Sequence, residues 1–115
     1  MDPVSLILKR AEHLKNKEFG KIYDMYDDKS IMKNFYPSKD DYIIFMKKFS
    51  KSVILKKMEI LDCDTKGSFA KVVSKEFIQD FEENSIIVNK CTTYLKNFSN
   101  RWTIIKENRI QIEKQ

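Results

Sequence analysis

His13 is the only histidine in the chain, and histidine is the side chain whose ordinary pKa suits proton transfer near neutrality. A lone histidine near a helix end reads first as a surface or capping residue and second as a general base. Asn89 and Thr93 share one face of an alternating segment with Ile87, Cys91 and Leu95, and Glu76 shares a face with Val72 and Ile78. Either set could line a polar pocket. The plainer expectation is that they face solvent or satisfy one another across strands. Lys47, Lys48, Lys51, Lys56 and Lys57 form the strongest charge feature, with Phe49 among them and no acid. One continuous basic surface would attract phosphate or an acidic partner, but a bend at Ser50, Lys51 and Ser52 would scatter these side chains. The acidic stretch Glu76, Asp80, Glu82 and Glu83 carries the opposite charge, which would allow head-to-tail pairing between copies.

Other chemistries lack their residues. One histidine and two separated cysteines give no paired metal-ligand spacing. Gly20 and Gly67 are isolated, so there is no phosphate-cradling loop, and no Gly-x-Ser-x-Gly nucleophile motif is present. The net charge is +5, nearly all of it Lys; Arg occurs only at Arg10, Arg101 and Arg109. A dedicated phosphate reader would use the planar, bidentate Arg more often. Nucleic acid is therefore not the expected partner. Cys63 and Cys91 are expected to be free, buried thiols. The first ten residues lack the basic region and long apolar run of a signal peptide. No window approaches the apolar length of a membrane span. A cytoplasmic protein without membrane contact is the expectation.

The elements that would position these residues follow from hydrophobic periodicity. At 115 residues the chain is one domain, residues 1–115. Val4, Ile7, Leu8, Ala11 and Leu14 predict a first helix, with Pro3 in its first turn. Phe19, Ile22, Tyr23 and Tyr26 predict a short second helix. Tyr42, Phe45, Met46 and Phe49 predict a third, capped by Ser38 with Asp40 and Asp41 in its first turn. Residues 31–36 are apolar but too short to assign. From Val53 the period becomes two, with Val53, Leu55 and Leu61 on one side and Ile54, Met58 and Ile60 on the other. Turns at 62–68, 82–84 and 97–100 divide the second half into four strands, a meander of three hairpins. Helices followed by an antiparallel sheet define an α+β domain.

Three stretches carry a family likeness. Asn16-Lys17-Glu18-Phe19-Gly20-Lys21-Ile22-Tyr23-Asp24-Met25-Tyr26 resembles a recurring helix-turn-helix opening. Tyr36-Pro37-Ser38-Lys39-Asp40-Asp41-Tyr42 resembles the start of a third helix, and Arg101-Trp102-Thr103-Ile104-Ile105 a closing strand. In this order they are similar to the NTF2-like superfamily, also called the cystatin-like or SnoaL-like fold, over residues 4–112. The likeness is greatest to small bacterial domains of the kind sometimes fused to SEC-C zinc motifs, a motif this chain does not carry. The resemblance implies a cone: three helices on a strongly bent four-stranded sheet, with Trp102 packed inside and a pocket at the wide end. The superfamily includes isomerases, dehydratases, hydrolases, transport factors and assembly subunits, so fold does not fix function.

A dehydratase-like member would need a carboxylate beside His13, and Asp24 is the nearest candidate. An isomerase of the ketosteroid kind would need an Asp base and Tyr donors in an apolar site. Tyr23, Tyr26 and Tyr42 could supply hydroxyls at the pocket mouth, but no Asp stands alone in an apolar strand run, Asp62 and Asp64 reading as turn residues. With no catalytic set in the sequence, the expectation is a non-catalytic domain of this kind that binds a small apolar ligand or a protein partner through its pocket or sheet face. Its pocket residues would be Tyr23, Tyr26, Tyr42, Asn89, Thr93 and Trp102, with no cofactor, no metal and a homodimer formed through the sheet. An enzyme built on His13 and Asp24, and a basic nucleic-acid module, are the alternatives.

Overall fold

A computed structural model describes all 115 residues. The chain forms α1 (Pro3–Lys15), α2 (Phe19–Tyr23), α3 (Ile31–Phe35) and α4 (Lys39–Phe49), then β1 (Val53–Lys66), β2 (Phe69–Asp80), β3 (Ser85–Phe98) and β4 (Arg101–Lys114). The strands make one antiparallel sheet in the order β1-β2-β3-β4. The fold is α+β.

Local chemistry starts three of the four helices. The Asp2 carboxylate accepts the Ser5 N–H at 2.7 Å, and Pro3 occupies the first turn of α1, where its missing N–H is harmless. Ser30 and Ser38 cap α3 and α4 by accepting the N–H groups of Lys33 and Asp41. Ser30 is buried, and its cap turns residues 31–35 into a helical turn that the sequence pattern left unassigned. Four helical segments, not three, precede the sheet.

The inward face of α1 also differs from the apolar stripe. Pro3, Leu6, Ile7, Arg10 and His13 are buried, whereas Leu8 is 49% exposed. Ile7 of the stripe stays fully buried, and Arg10 and His13 turn inward beside it onto polar partners.

The β1–β2 turn is tighter than the expected 62–68 segment. Strand pairing runs to Lys66↔Phe69, and only Gly67 and Ser68 turn, Gly67 taking a φ of 60° that a side chain would strain. Ser99 and Asn100 close the β3–β4 hairpin with φ of 52° and 63°, the pair of positive angles a type I′ turn requires. The outer strands carry bulges and the inner ones do not. Register slips leave Lys56 and Leu61 unpaired in β1, and Ile105 and Ile112 unpaired in β4. Extra residues on both margins bend the sheet. They also reset which residues share a face. Leu55, Met58 and Ile60 lie opposite Ile78, Glu76 and Ser74, so Leu55 groups with Met58 and Ile60 rather than with Leu61.

One sheet face carries Ala70, Val72, Ser74, Glu76 and Ile78 beside Leu95, Thr93, Cys91, Asn89 and Ile87. The helices cover this face. The core joins Ile7, Phe19, Ile22, Tyr23, Val72, Leu95 and Ile104, and half-buried Trp102 packs against it. The segment after α2 seals the start of β4. Asp27 N–H donates to the Ile104 carbonyl at 2.8 Å, and Ile104 N–H donates to the Met25 carbonyl at 2.9 Å. By contrast, α4 packs on α2 and stands away from the sheet. Cys91 is buried but Cys63 is exposed, and both are free. No helix is long and apolar enough to cross a membrane.

Candidate functional site

The space between α4 and the sheet is a cavity of about 1060 Å³. Aromatic packing builds its upper wall. Tyr36 lies edge-on to Tyr42 and tilted against Phe45, and Phe45 stacks on Phe49 with centroids 5.6 Å apart. Ala11 and Leu14 of α1, Met32 of α3, and Leu55 and Met58 of β1 extend the apolar lining. Seventeen of the twenty-seven lining residues are hydrophobic.

The floor is polar, and four charged side chains from three elements make it. Arg10 of α1 is 7% exposed and reaches Glu107 of β4 at 2.9 Å. Its guanidinium also donates to the Tyr26 hydroxyl and to Thr93 Oγ1, both at 3.3 Å. The second Glu107 oxygen takes Arg109 Nη1 at 2.6 Å. Arg109 then grips Glu76 of β2 as a fork, through Nε at 2.9 Å and Nη2 at 3.4 Å. The strand register makes this possible. Glu107 lies opposite Thr93 and Arg109 opposite Cys91, on the face that carries Glu76.

Two members of the ion quartet, Glu107 and Arg109, are held in their charged forms. Burial opposes ionisation of Glu107, but Arg10 and Arg109 outweigh it and hold the carboxyl below the usual glutamate range. Burial likewise works against the Arg109 charge, and Glu107 with Glu76 outweighs it, so this guanidinium is held more firmly protonated than usual. Burial pushes the Tyr42 hydroxyl up to about 12 despite the two arginines nearby. These three side chains therefore keep one charge state at neutral pH. They suit binding and orientation better than proton transfer, for which a group should titrate near the working pH.

The residues expected at the site fall into three groups. Tyr26, Tyr42 and Asn89 line the large cavity. Thr93 lies beneath it, fully buried, supporting Arg10. Tyr23 and Trp102 sit elsewhere. The Tyr23 hydroxyl donates to the carbonyls of Tyr36 and Pro37 at 2.9 and 3.1 Å, and Trp102 lines a separate hollow of about 280 Å³ with Asp24 and Arg101. Asn89, Thr93 and Glu76 do not face solvent; they face the helices.

His13 and Asp24 are held by different partners. His13 Nδ1 lies 3.1 Å from Glu18 Oε1, and Asp24 Oδ2 accepts from Lys39 Nζ at 2.9 Å. Hydrogen bonds from Lys21 and then His13 lower Glu18 to about 2. His13 is buried and lines neither cavity.

The basic segment is dispersed. Lys47 and Lys48 end α4, Lys51 sits in the following turn, and Lys56 lines the cavity. Lys57 lies over Phe77 and pairs with Glu59 at 2.9 Å. The acidic stretch is spent within the chain. Glu76 binds Arg109, Asp80 accepts the Glu82 and Glu83 N–H groups, Glu82 accepts from Ser52, and Glu83 pairs with Lys114.

Sequence reasoning missed Arg10, Glu107 and Arg109. One signal was available. In a chain whose positive charge is nearly all Lys, each of the three arginines makes a directed tertiary contact, Arg101 donating to the Asp24 carbonyl at 2.7 Å.

No family model matches the sequence, and neither does any curated protein. Solved structures resemble it in fold. A SEC-C motif containing protein from Rhodopseudomonas palustris matches with a TM-score of 0.75 at 14% identity, over 94% of this chain and 78% of that one. Bd1075 of Bdellovibrio bacteriovorus matches with a TM-score of 0.70 at 12% identity, over 97% of this chain and 40% of that one. A calcium/calmodulin dependent protein kinase II association domain from Xanthomonas campestris matches with a TM-score of 0.61 at 11% identity, over 95% of this chain and 84% of that one. At these identities the likeness is one of fold.

Proposed function

We propose that this chain is a non-catalytic, NTF2-like binding domain that takes a small, largely apolar molecule into the cavity beneath α4. The observation that carries the reading is the cavity itself. Its volume of about 1060 Å³ is at the upper end for a small-molecule site, and its lining is apolar with a few convergent polar groups on one wall. The ion quartet supports binding over catalysis, because its glutamates and arginines are committed to one another as ion pairs. The fold likeness to an association domain and the order of helices before a bent antiparallel sheet support the NTF2-like assignment.

Fluorescence of the neutral apolar dye N-phenylnaphthylamine tests the proposal. The dye should brighten on binding the wild-type protein. Ala11→Trp and Ile78→Trp, which place an indole in the cavity, should abolish the signal while circular dichroism keeps its folded shape. A folded wild type that leaves the dye dark, or binding indifferent to both substitutions, would count against the reading.

A further inference from the structure

Deepening that reading, and resting on it, we propose that the ligand is an amphipathic anion: an apolar body in the cavity and a carboxylate-like head at its mouth. The charges around the cavity are unequal. Its lining includes six cationic residues (Arg10, Lys15, Lys17, Lys56, Lys106 and Arg109) and two acids (Glu76 and Glu107). Both acids are already engaged by Arg10 and Arg109. An entering anion therefore meets no free carboxylate.

Three of the cations are free to receive it. Lys15, Lys17 and Lys56 are exposed and make no ion pair. Lys106 is committed over the Tyr94 ring, 4.7 Å from its centre. Lys56 is the unpaired residue of the first β1 bulge, and a bulge re-aims a side chain that regular pairing would fix. Lys17 holds a positive φ of 58° in the turn after α1. These three exposed lysines are among the residues lining a cavity whose walls include Phe45, Met46, Phe49, Leu55 and Met58. A neutral apolar molecule would use the walls alone; an anion with an apolar tail uses walls and rim together. The quartet meanwhile keeps the floor electrically balanced, so the field that selects ligand charge comes from the rim.

The experiment displaces N-phenylnaphthylamine from the full chain with decanoate and with decanol, two probes that share a tail and differ in head charge. Decanoate should bind about tenfold more tightly at low salt, the order expected for a few partly screened, exposed ion pairs. That preference should shrink as salt is raised, and it should vanish in the Lys15→Gln, Lys17→Gln, Lys56→Gln triple variant, which still binds decanol. If decanol displaces the dye as well as decanoate does, the ligand-class inference fails and the cavity remains a binding site. If the preference survives in the triple variant at every salt concentration, the assignment to these lysines fails. If neither probe nor dye binds the folded wild type, the cavity reading falls and this inference with it.

Discussion

Arg10 and Glu107 meet where only a tenth or less of either side chain touches solvent. Removing one member leaves its partner charged and desolvated. Arg10→Met or Glu107→Gln should each destabilise the fold by about 3 kcal/mol in urea denaturation, and the double variant by less than the two losses added together. Strict additivity would show that the pair is not coupled. The pH dependence has a defined sign. A carboxyl depressed in the folded state contributes its full stability above the ordinary value of 4.5 and loses it as pH falls through the lower folded value. Wild-type stability should therefore decline on acidification below about pH 4.5, and Glu107→Gln, weaker at neutrality, should decline less over the same range. Ser74 lies on the same sheet face with a hydroxyl that has no hydrogen-bond partner. Ser74→Ala should raise stability by about 1 kcal/mol, since it removes a buried polar group that gains nothing from folding. A loss of that size would place a water or a ligand atom on the hydroxyl.

The third helix depends on its cap more than on its length. The five-residue α3 is too short to hold itself. Ser30, buried at its start, should cost about 1 kcal/mol when replaced by Ala, with the loss centred on Met32 and Tyr36 near the cavity and readable by amide exchange. The boundary between helical and strand halves was legible because periodicity and caps are local, and so were Ser38, Gly67 and the order of the hairpins. The inward face of α1 was legible only in part. Apolar spacing pointed to Val4, Ile7, Leu8, Ala11 and Leu14, of which Ile7 is fully buried and Leu14 packs on the core while Leu8 is exposed. Burial of Arg10 and His13 depends on Glu107, Thr93 and Glu18, far away in sequence or across a turn. The alternating faces of β2 and β3 were legible too, but that of β1 was not, for a related reason. Alternation counts by twos, and one unpaired residue at Lys56 or Ile105 inverts the count downstream. The charged floor needs four residues from three elements plus those slips in register, and no window of sequence contains them.

The sheet face turned from the helices sets how whole molecules meet. Lys71 and Lys75 of β2 lie on it, with Lys75 opposite Lys90 of β3 and Tyr94 between Lys71 and Lys106. None of these lysines has an acidic partner within ion-pair distance. Two copies stacked through this face would bring like charges together. A homodimer formed there should therefore strengthen as salt rises. Sedimentation at low and high ionic strength checks this, and a dimer tightest at low salt would place the contact elsewhere. The unpaired residues of the outer strands have one more consequence. β1 is a fourteen-residue margin with a neighbour on one side only, a template on which further chains could polymerise. Lys56 and Leu61 break its rungs into short runs that an incoming strand cannot match in phase. Deleting both would restore a straight ladder, and the harm would show first as fibrils and inclusion bodies rather than as a lower melting temperature.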